Sequence, residues 1–438
     1  MRRSLLGLFL FALSQAAWSS VTIEHWQTAQ GSRVFFVHAG SLPLADIVVA
    51  FDAGSARDGT QAGLAALTAG VLEEGAGQWN ADQIAERFES VGAQFGTSIS
   101  SDMASITLRT LTDKPLFDTA LDTLHAILTQ PAFKEADFQR EKKRTLASLK
   151  QREESPGDLA EIAFSKALYG EHPYAHPDNG LIETVSPLKA SDLRAFYRRY
   201  YVAANAMIVI VGDLSKAQAE QTVAALLKDL PVGQKPAPLP DVLMPAKASS
   251  QHVRFPSTQT HVLAGMPGID RKDVDFFSLY VGNHILGGGG LVSKLFDEIR
   301  EKRGLAYSAS SAFRPMRKKG PFVLGLQTRN DQTGEALKVL NQTLSDFIAK
   351  GPSEAELTAA KKNLTGGFPM RFDTNKKLAN YVAMIGFYDL PLDYLDTFIH
   401  KVDEVTVASI VDAFKRHIQL ELLQTVTVGD DTKAKSGK

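Results

Sequence analysis

Leu286-Gly-Gly-Gly-Gly-Leu-Val-Ser-Lys-Leu-Phe-Asp-Glu-Ile-Arg-Glu-Lys-Arg-Gly-Leu-Ala-Tyr-Ser308 reads as a helix joined to the start of a strand by one glycine. Leu291, Val292, Leu295, Phe296 and Ile299 recur at i, i+4 and i+8, the spacing of one buried helix face behind a Gly-rich entry. Lys302 and Arg303 suit the last turn, where cations meet the negative end of the helix dipole. Gly304 supplies a left-handed stop, and Leu305-Ala-Tyr-Ser-Ala309 reads as a strand packed back against the helix. Arg300 then sits at the margin of the buried face, near the end from which Tyr307 emerges. Locally this is the pattern of a helix-edge salt bridge and a half-buried strand tyrosine; the rest of the chain gives it another meaning.

Outward from this segment the chain repeats itself. Ser191-Asp-Leu-Arg-Ala-Phe-Tyr-Arg-Arg-Tyr-Tyr201 leads to Ile208-Val-Ile-Val-Gly-Asp213, and Ser409-Ile-Val-Asp-Ala-Phe-Lys-Arg-His417 leads to Thr425-Val-Thr-Val-Gly-Asp430. Each is an amphipathic helix followed by a buried strand ending in Gly-Asp. Ala136-Asp-Phe-Gln-Arg-Glu-Lys-Lys-Arg-Thr-Leu146 parallels Ala355-Glu-Leu-Thr-Ala-Ala-Lys-Lys-Asn-Leu364 at nearly the same offset. The joint falls in a Pro-rich stretch, Leu230-Pro-Val-Gly-Gln-Lys-Pro-Ala-Pro-Leu-Pro240 and on to Ser250, expected to be extended and semi-rigid.

Within each half, short strands such as Ile47 to Phe51 and Ser105 to Leu111 alternate with helical stretches such as Leu116 to Leu128 and Ala136 to Gln151. The expected class is α+β: two duplicated halves, each a mainly antiparallel or mixed sheet with helices packed on one face, together forming half of a clamshell. The expected division is a leader at 1–20, a first domain at 21–231, a linker at 232–250 and a second domain at 251–438. Two halves on a long linker can face each other around a cavity, where pockets tend to form.

At 438 residues the chain is too long for one core. With 44% hydrophobic and 22% charged residues it has an ordinary globular composition. Its 48 basic and 49 acidic residues, with no long basic run, give no footprint for nucleic acid and no polybasic membrane anchor. Arg2 and Arg3, the apolar run Leu5 to Leu13 and then Ser14-Gln-Ala-Ala-Trp-Ser-Ser20 follow the order of a secretory signal, with cleavage after Ala16 or Ser19. The alternative is an uncleaved anchor. The chain has no cysteine, so there is no lipobox and no disulfide, and export to a bacterial periplasm is argued from the signal alone. No other segment is apolar and long enough to cross a membrane.

From about Trp26 to Gly429 the chain resembles the pitrilysin, insulin-degrading and mitochondrial-processing metallopeptidases, the inverzincins. In the second half the resemblance rests on Leu286-Gly-Gly-Gly-Gly290, Arg300 and Gly304-Leu-Ala-Tyr307. In the first it rests on Ala53-Gly-Ser-Ala-Arg-Asp58, His172-Pro-Tyr174, and Tyr200-Tyr201 followed by Val211-Gly-Asp213. Active members carry H-x-x-E-H on a first-half helix and a further Glu ligand on a later one. The matching helix here is Gly63-Leu-Ala-Ala-Leu-Thr-Ala-Gly-Val-Leu72, with the motif positions at Ala66, Ala69 and Gly70. The later ligand falls near Ala147 or Ser148. Every ligand and the base are missing together, and methyl groups and a bare Cα cannot hold zinc or activate water.

None of the ten histidines offers a substitute. His172 and His176 are four apart, but Pro173 and Pro177 keep them off a common helix face, so a structural role is expected. Glu73 and Glu74 read as solvated or capping charge. No Gly-x-Ser-x-Gly elbow is present.

The resemblance implies that Arg300 and Tyr307 reach across a cavity to bind a substrate carbonyl and stabilise the tetrahedral intermediate, an oxyanion hole built from side chains. A chain that keeps these donors and lacks the metal implies a heterodimeric periplasmic peptidase. Its partner would be a homologous H-x-x-E-H subunit carrying zinc, and the substrate a peptide or unfolded protein held as an extended strand. By the same analogy Gly287, Gly288, Gly289 and Gly290 form a flexible lip for substrate entry; alone, the run is also a tight helix entry needing left-handed conformations. The other class of function is a non-enzymatic structural or peptide-holding protein, possibly a homodimer.

Overall fold

The computed structural model describes residues 21–430. The secretory leader read at 1–20 lies outside the described residues.

Two mixed sheets form the frame. The first runs, in spatial order, Glu24–Gln27, Arg33–His38, Ala206–Gly212, Leu44–Phe51, Ala104–Leu111 and Gln94–Ile99, with only Arg33–His38 and Ala206–Gly212 parallel. The second runs Ala306–Phe313, Pro321–Arg329, Gln259–Pro267, Gln424–Gly429 and Ser249–Arg254, and its one parallel pair is Gln424–Gly429 with Ser249–Arg254. Apart from the extra edge strand Glu24–Gln27, the two sheets share one strand order, so the repeat seen in sequence is a repeat of topology. Gly212 and Gly429 close equivalent strands for the same steric reason. A β-carbon at Gly212 would lie 2.4 Å from the Leu44 carbonyl oxygen, and one at Gly429 would lie 2.5 Å from Thr260 Oγ1.

The runs Ile47-Val-Val-Ala-Phe51 and Met207-Ile-Val-Ile-Val211 are apolar without alternation because both sheet faces are covered. Val34, Phe36, Ile47, Val49, Ile208 and Ile210 face the first half's own helices, Leu64–Leu72, Lys114–Thr129, Ala190–Tyr200 and Lys216–Leu227. The alternate residues Phe35, Val37, Val48, Met207, Val209 and Val211 belong instead to a core shared with Leu378, Ala379, Val382 and Ala383. Those four lie on Asn375–Phe387, a helix of the second half. The exchange is reciprocal. Pro156–Tyr169, a helix of the first half, lays Ala160, Phe164 and Leu168 against Val323, Val426 and Val428 of the second sheet. Each half's own helices thus cover one sheet face, as the sequence implies, and one helix from the other half takes the opposite face.

Polar contacts secure the exchange. The buried carboxylate of Asp102 accepts the Tyr174 hydroxyl at 2.5 Å, and from the second half the Arg317 N–H at 2.8 Å and the Tyr388 hydroxyl at 3.0 Å. Burial, reinforced by this carboxylate, pushes both phenols well above the ordinary tyrosine range. The Pro-rich joint has no regular structure, yet it is held along the first half. Arg57 donates to the Ala237 carbonyl at 2.7 Å, Leu239 is buried, and the joint's last residues, Ser249 and Ser250, already pair with Gln424 and Thr425.

Candidate functional site

Helix Phe276–Asn283 runs into a π turn, His284–Gly288, and a second π turn, Asp297–Glu301, carries Arg300. Such widened turns are rare and concentrate at functional sites. Between them lies the glycine run. At Gly287 the helix presses on the strand behind it, where a β-carbon would lie 2.4 Å from the Ser311 nitrogen and hydroxyl. Gly290 alone of the four is left-handed, at φ +64°. The run is therefore a close approach followed by one turn, with left-handed geometry confined to its last residue.

The apolar face expected from Leu291 onward begins later. Leu291 and Val292 are 72% and 84% exposed, because they sit on the short turn Gly290–Val292 before the helix starts. Ser293 caps it, accepting the Phe296 N–H at 3.4 Å, and Leu295, Phe296 and Ile299 are buried as the spacing requires. Gly304, at φ +62°, ends the element, with its N–H on the Arg300 carbonyl at 2.8 Å and that of Leu305 on Ile299 at 2.9 Å.

In the following strand Ala306 pairs with Thr328 and Ala309 with Leu326, so three steps on one strand match two on the other. This bulge re-aims the chain, and Tyr307 and Ser308 are both exposed at consecutive positions. The Arg300 guanidinium carbon lies 4.7 Å from the Tyr307 ring centre and 4.7 Å from that of Phe296. The two residues singled out in the sequence are in contact, Tyr307 79% exposed and Arg300 about a third exposed. A planar cation and a phenol side by side on an open surface can donate to the same anionic oxygen.

The first-half positions have a different character. On helix Leu64–Leu72, Ala69 is buried while Ala66 and Gly70 lie on the less buried face; Ala147 and Ser148 are exposed on Glu135–Glu153. These residues do not fit a zinc ion, since among them only one serine hydroxyl offers an oxygen. Ion pairs tie the two helices instead. A β-carbon at Gly70 would lie 3.1 Å from Glu141 Oε1. Arg144 donates to Glu74 at 3.2 Å and to Glu141 at 3.3 Å, while Arg140 bonds Glu74 and, at 2.9 Å, Asp137. Glu74, read from sequence as solvated or capping, is buried within this network, whereas Glu73 sits at the helix C-cap with part of its side chain in solvent. Partial burial beside Glu74 and Glu141 raises the Glu73 carboxyl above its ordinary range.

Asp58, the last residue of the stretch 53–58 that carries the family resemblance, has no role assigned from sequence and is buried at the start of this helix. Its carboxylate accepts the Gly63 and Ala65 N–H groups, each at 2.7 Å. Burial nevertheless pushes it up to about 8. The available signal was an aspartate five residues before a glycine-led helix.

Residues 33–178 match the model of the insulinase family, peptidase family M16, and residues 187–364 match that of the peptidase M16 inactive domain. The crystal structure of a peptidase M16 inactive domain from Pseudomonas fluorescens is 36% identical, with a TM-score of 0.91 over 94% of this chain and 98% of that one. The chain belongs to peptidase family M16. A protein of Helicobacter pylori named as a non-peptidase homolog is 29% identical over 438 residues, 98% of both chains. An uncharacterized zinc protease of Streptomyces coelicolor is 28% identical over 323 residues, 72% of this chain and 69% of that one.

For a chain of family M16, the remaining candidates resolve as structural. His172 accepts the Tyr174 N–H on Nδ1 at 3.1 Å, with Nε2 3.0 Å from the Pro240 carbonyl, which suits the neutral Nε2–H tautomer. Burial, its main perturbation, lowers its proton affinity in the same sense. His176 lies beyond the turn Pro173–Ala175 and shares no helix face with it. Among the described residues, Asp273, Asp275 and His417 have metal-ligand spacing, but Asp275 is already paired with Arg416 and, at 2.8 Å, with His417. No helix among the described residues is long and apolar enough to cross a membrane.

Proposed function

We propose that this chain is the metal-free subunit of a heterodimeric family M16 peptidase in a bacterial periplasm. Arg300 and Tyr307 would bind and polarise the scissile carbonyl in the active site of a partner subunit that carries H-x-x-E-H and the zinc. The observation that carries this reading is the contact of Arg300, on a π turn, with Tyr307, exposed on a strand bulge, in a chain whose own metal positions are methyl groups, a bare Cα and a serine hydroxyl. Nothing in folding requires an arginine and a tyrosine to be displayed together, while polarising a peptide carbonyl does. The substrate on this reading is an extended peptide or a small unfolded protein. It is tested by purifying the chain with an H-x-x-E-H family M16 chain and assaying peptide hydrolysis. Activity should need both chains and fall about a hundred- to a thousandfold with Arg300→Ala. Full activity from the partner alone, or from the complex with Arg300→Ala, contradicts it.

The second reading, a non-enzymatic peptide-holding or structural protein, is favoured by the name of the Helicobacter relative. It predicts that substitutions at Arg300 and Tyr307 change no hydrolytic rate.

A further inference from the structure

Phe296 is buried, yet it stands outside the apolar cluster that takes in its neighbours Leu295 and Ile299. Its ring is faced by a cation instead. The Arg300 Cζ is 4.7 Å from the Phe296 ring centre and equally far from that of Tyr307, so one guanidinium touches one ring held in the fold and another displayed to solvent. The ion pair of Arg300 with Glu301 is long, at 3.8 Å, beyond hydrogen-bond distance, and so sets no direction for the guanidinium plane. Ring contacts fix that plane, because a weakly hydrated guanidinium lies against the negative face of an aromatic ring as a lysine ammonium does not.

We propose that Phe296 is a positioning residue for Arg300. It holds the guanidinium against Tyr307, so that cation and phenol are presented as one preorganised pair. The catalytic consequence rests on the split-site reading above; the placement of Arg300 by the ring does not. Phe296→Leu keeps an apolar side chain and removes the ring face. Freed of it, Arg300 samples other rotamers, and a preorganised donor becomes one that must be ordered during the reaction.

Two measurements test this. In the isolated chain, the Arg300 Nε–H resonance, assigned by its loss in Arg300→Lys, should be displaced by ring currents. It should move to the free-arginine position in Phe296→Leu and stay displaced in Phe296→Trp. A resonance unmoved by Phe296→Leu overturns the placement. In the reconstituted complex, Phe296→Leu should lower kcat about tenfold with KM changed less than about twofold, and Phe296→Tyr should recover most of the loss. A change in KM alone, or no recovery with Phe296→Tyr, overturns the catalytic consequence and leaves Phe296 a packing residue. Should Arg300→Ala itself be silent in the complex while the resonance behaves as expected, the split-site reading fails and the placement stands.

Discussion

Arg300 and Tyr307 are neighbours for reasons the sequence shows only in part. The spacing from a helix margin across Gly304 to a strand was legible, and so was the absence of zinc donors at Ala66, Ala69 and Gly70. The bulge was not legible, because a ladder slip depends on the partner strand Pro321–Arg329 and leaves no mark on Ala306-Tyr-Ser-Ala309 itself. Arg300→Lys keeps the charge but loses the planar ring contact, so it should recover less than about a tenth of wild-type kcat in the complex. Tyr307→Phe keeps the ring and loses the donor. It should lower kcat with Arg300 still in place, measurable as a kcat loss at constant KM. Asp58 carries a separate prediction. Its pKa is raised by burial from 3.8 to about 8, so the folded state holds the extra proton between those values. Its contribution is complete below the unfolded pKa and is lost as pH rises through about 8. Denaturant unfolding should show stability falling across that window. Asp58→Asn should flatten the fall, although the chain is less stable overall because one of the two helix N–H groups loses its acceptor.

At the scale of elements, the helix pair Leu64–Leu72 and Glu135–Glu153 is tied by side-chain ion pairs. The pairs Asp137/Arg140 and Glu141/Arg144 are three residues apart and could be read along one helix. Their reach to Glu74 on the other helix could not, since it follows from how the two helices cross. Glu74→Ala should destabilise the chain by about 0.5–1.5 kcal/mol in urea unfolding, because the Arg140 and Arg144 donors it leaves are 43% and 65% exposed and regain water, with no change in metal content. The second-half segment failed in the other direction. Leu291 and Val292 fit the helical period and still fall outside it, because Ser293 is the better cap and starts the helix after them.

The molecule as a whole is two copies of one topology locked by exchange of helices Pro156–Tyr169 and Asn375–Phe387. The duplication was visible in Val211-Gly-Asp213 and Val428-Gly-Asp430. The exchange was not, because an amphipathic helix does not record which half supplies its sheet. It has a direct consequence: Phe164, 2% exposed, lies at the second sheet while belonging to the first half. Phe164→Ala should cost about 3–5 kcal/mol. It should lower the unfolding midpoints of both halves together, as read by tryptophan fluorescence and far-UV dichroism in one transition. Such an interlocked body presents Arg300 and Tyr307 in contact at its surface, and Ala66, Ala69, Gly70, Ala147 and Ser148 offer no zinc-binding donor set. Whether another chain supplies the zinc is decided by tagging this chain in its native host and identifying what accompanies it in equal amount. The expected companion is a family M16 chain with H-x-x-E-H, in a complex that cuts peptides left intact by the tagged chain alone. Recovery of the tagged chain alone or only with copies of itself, inert towards peptides, contradicts the split-site reading.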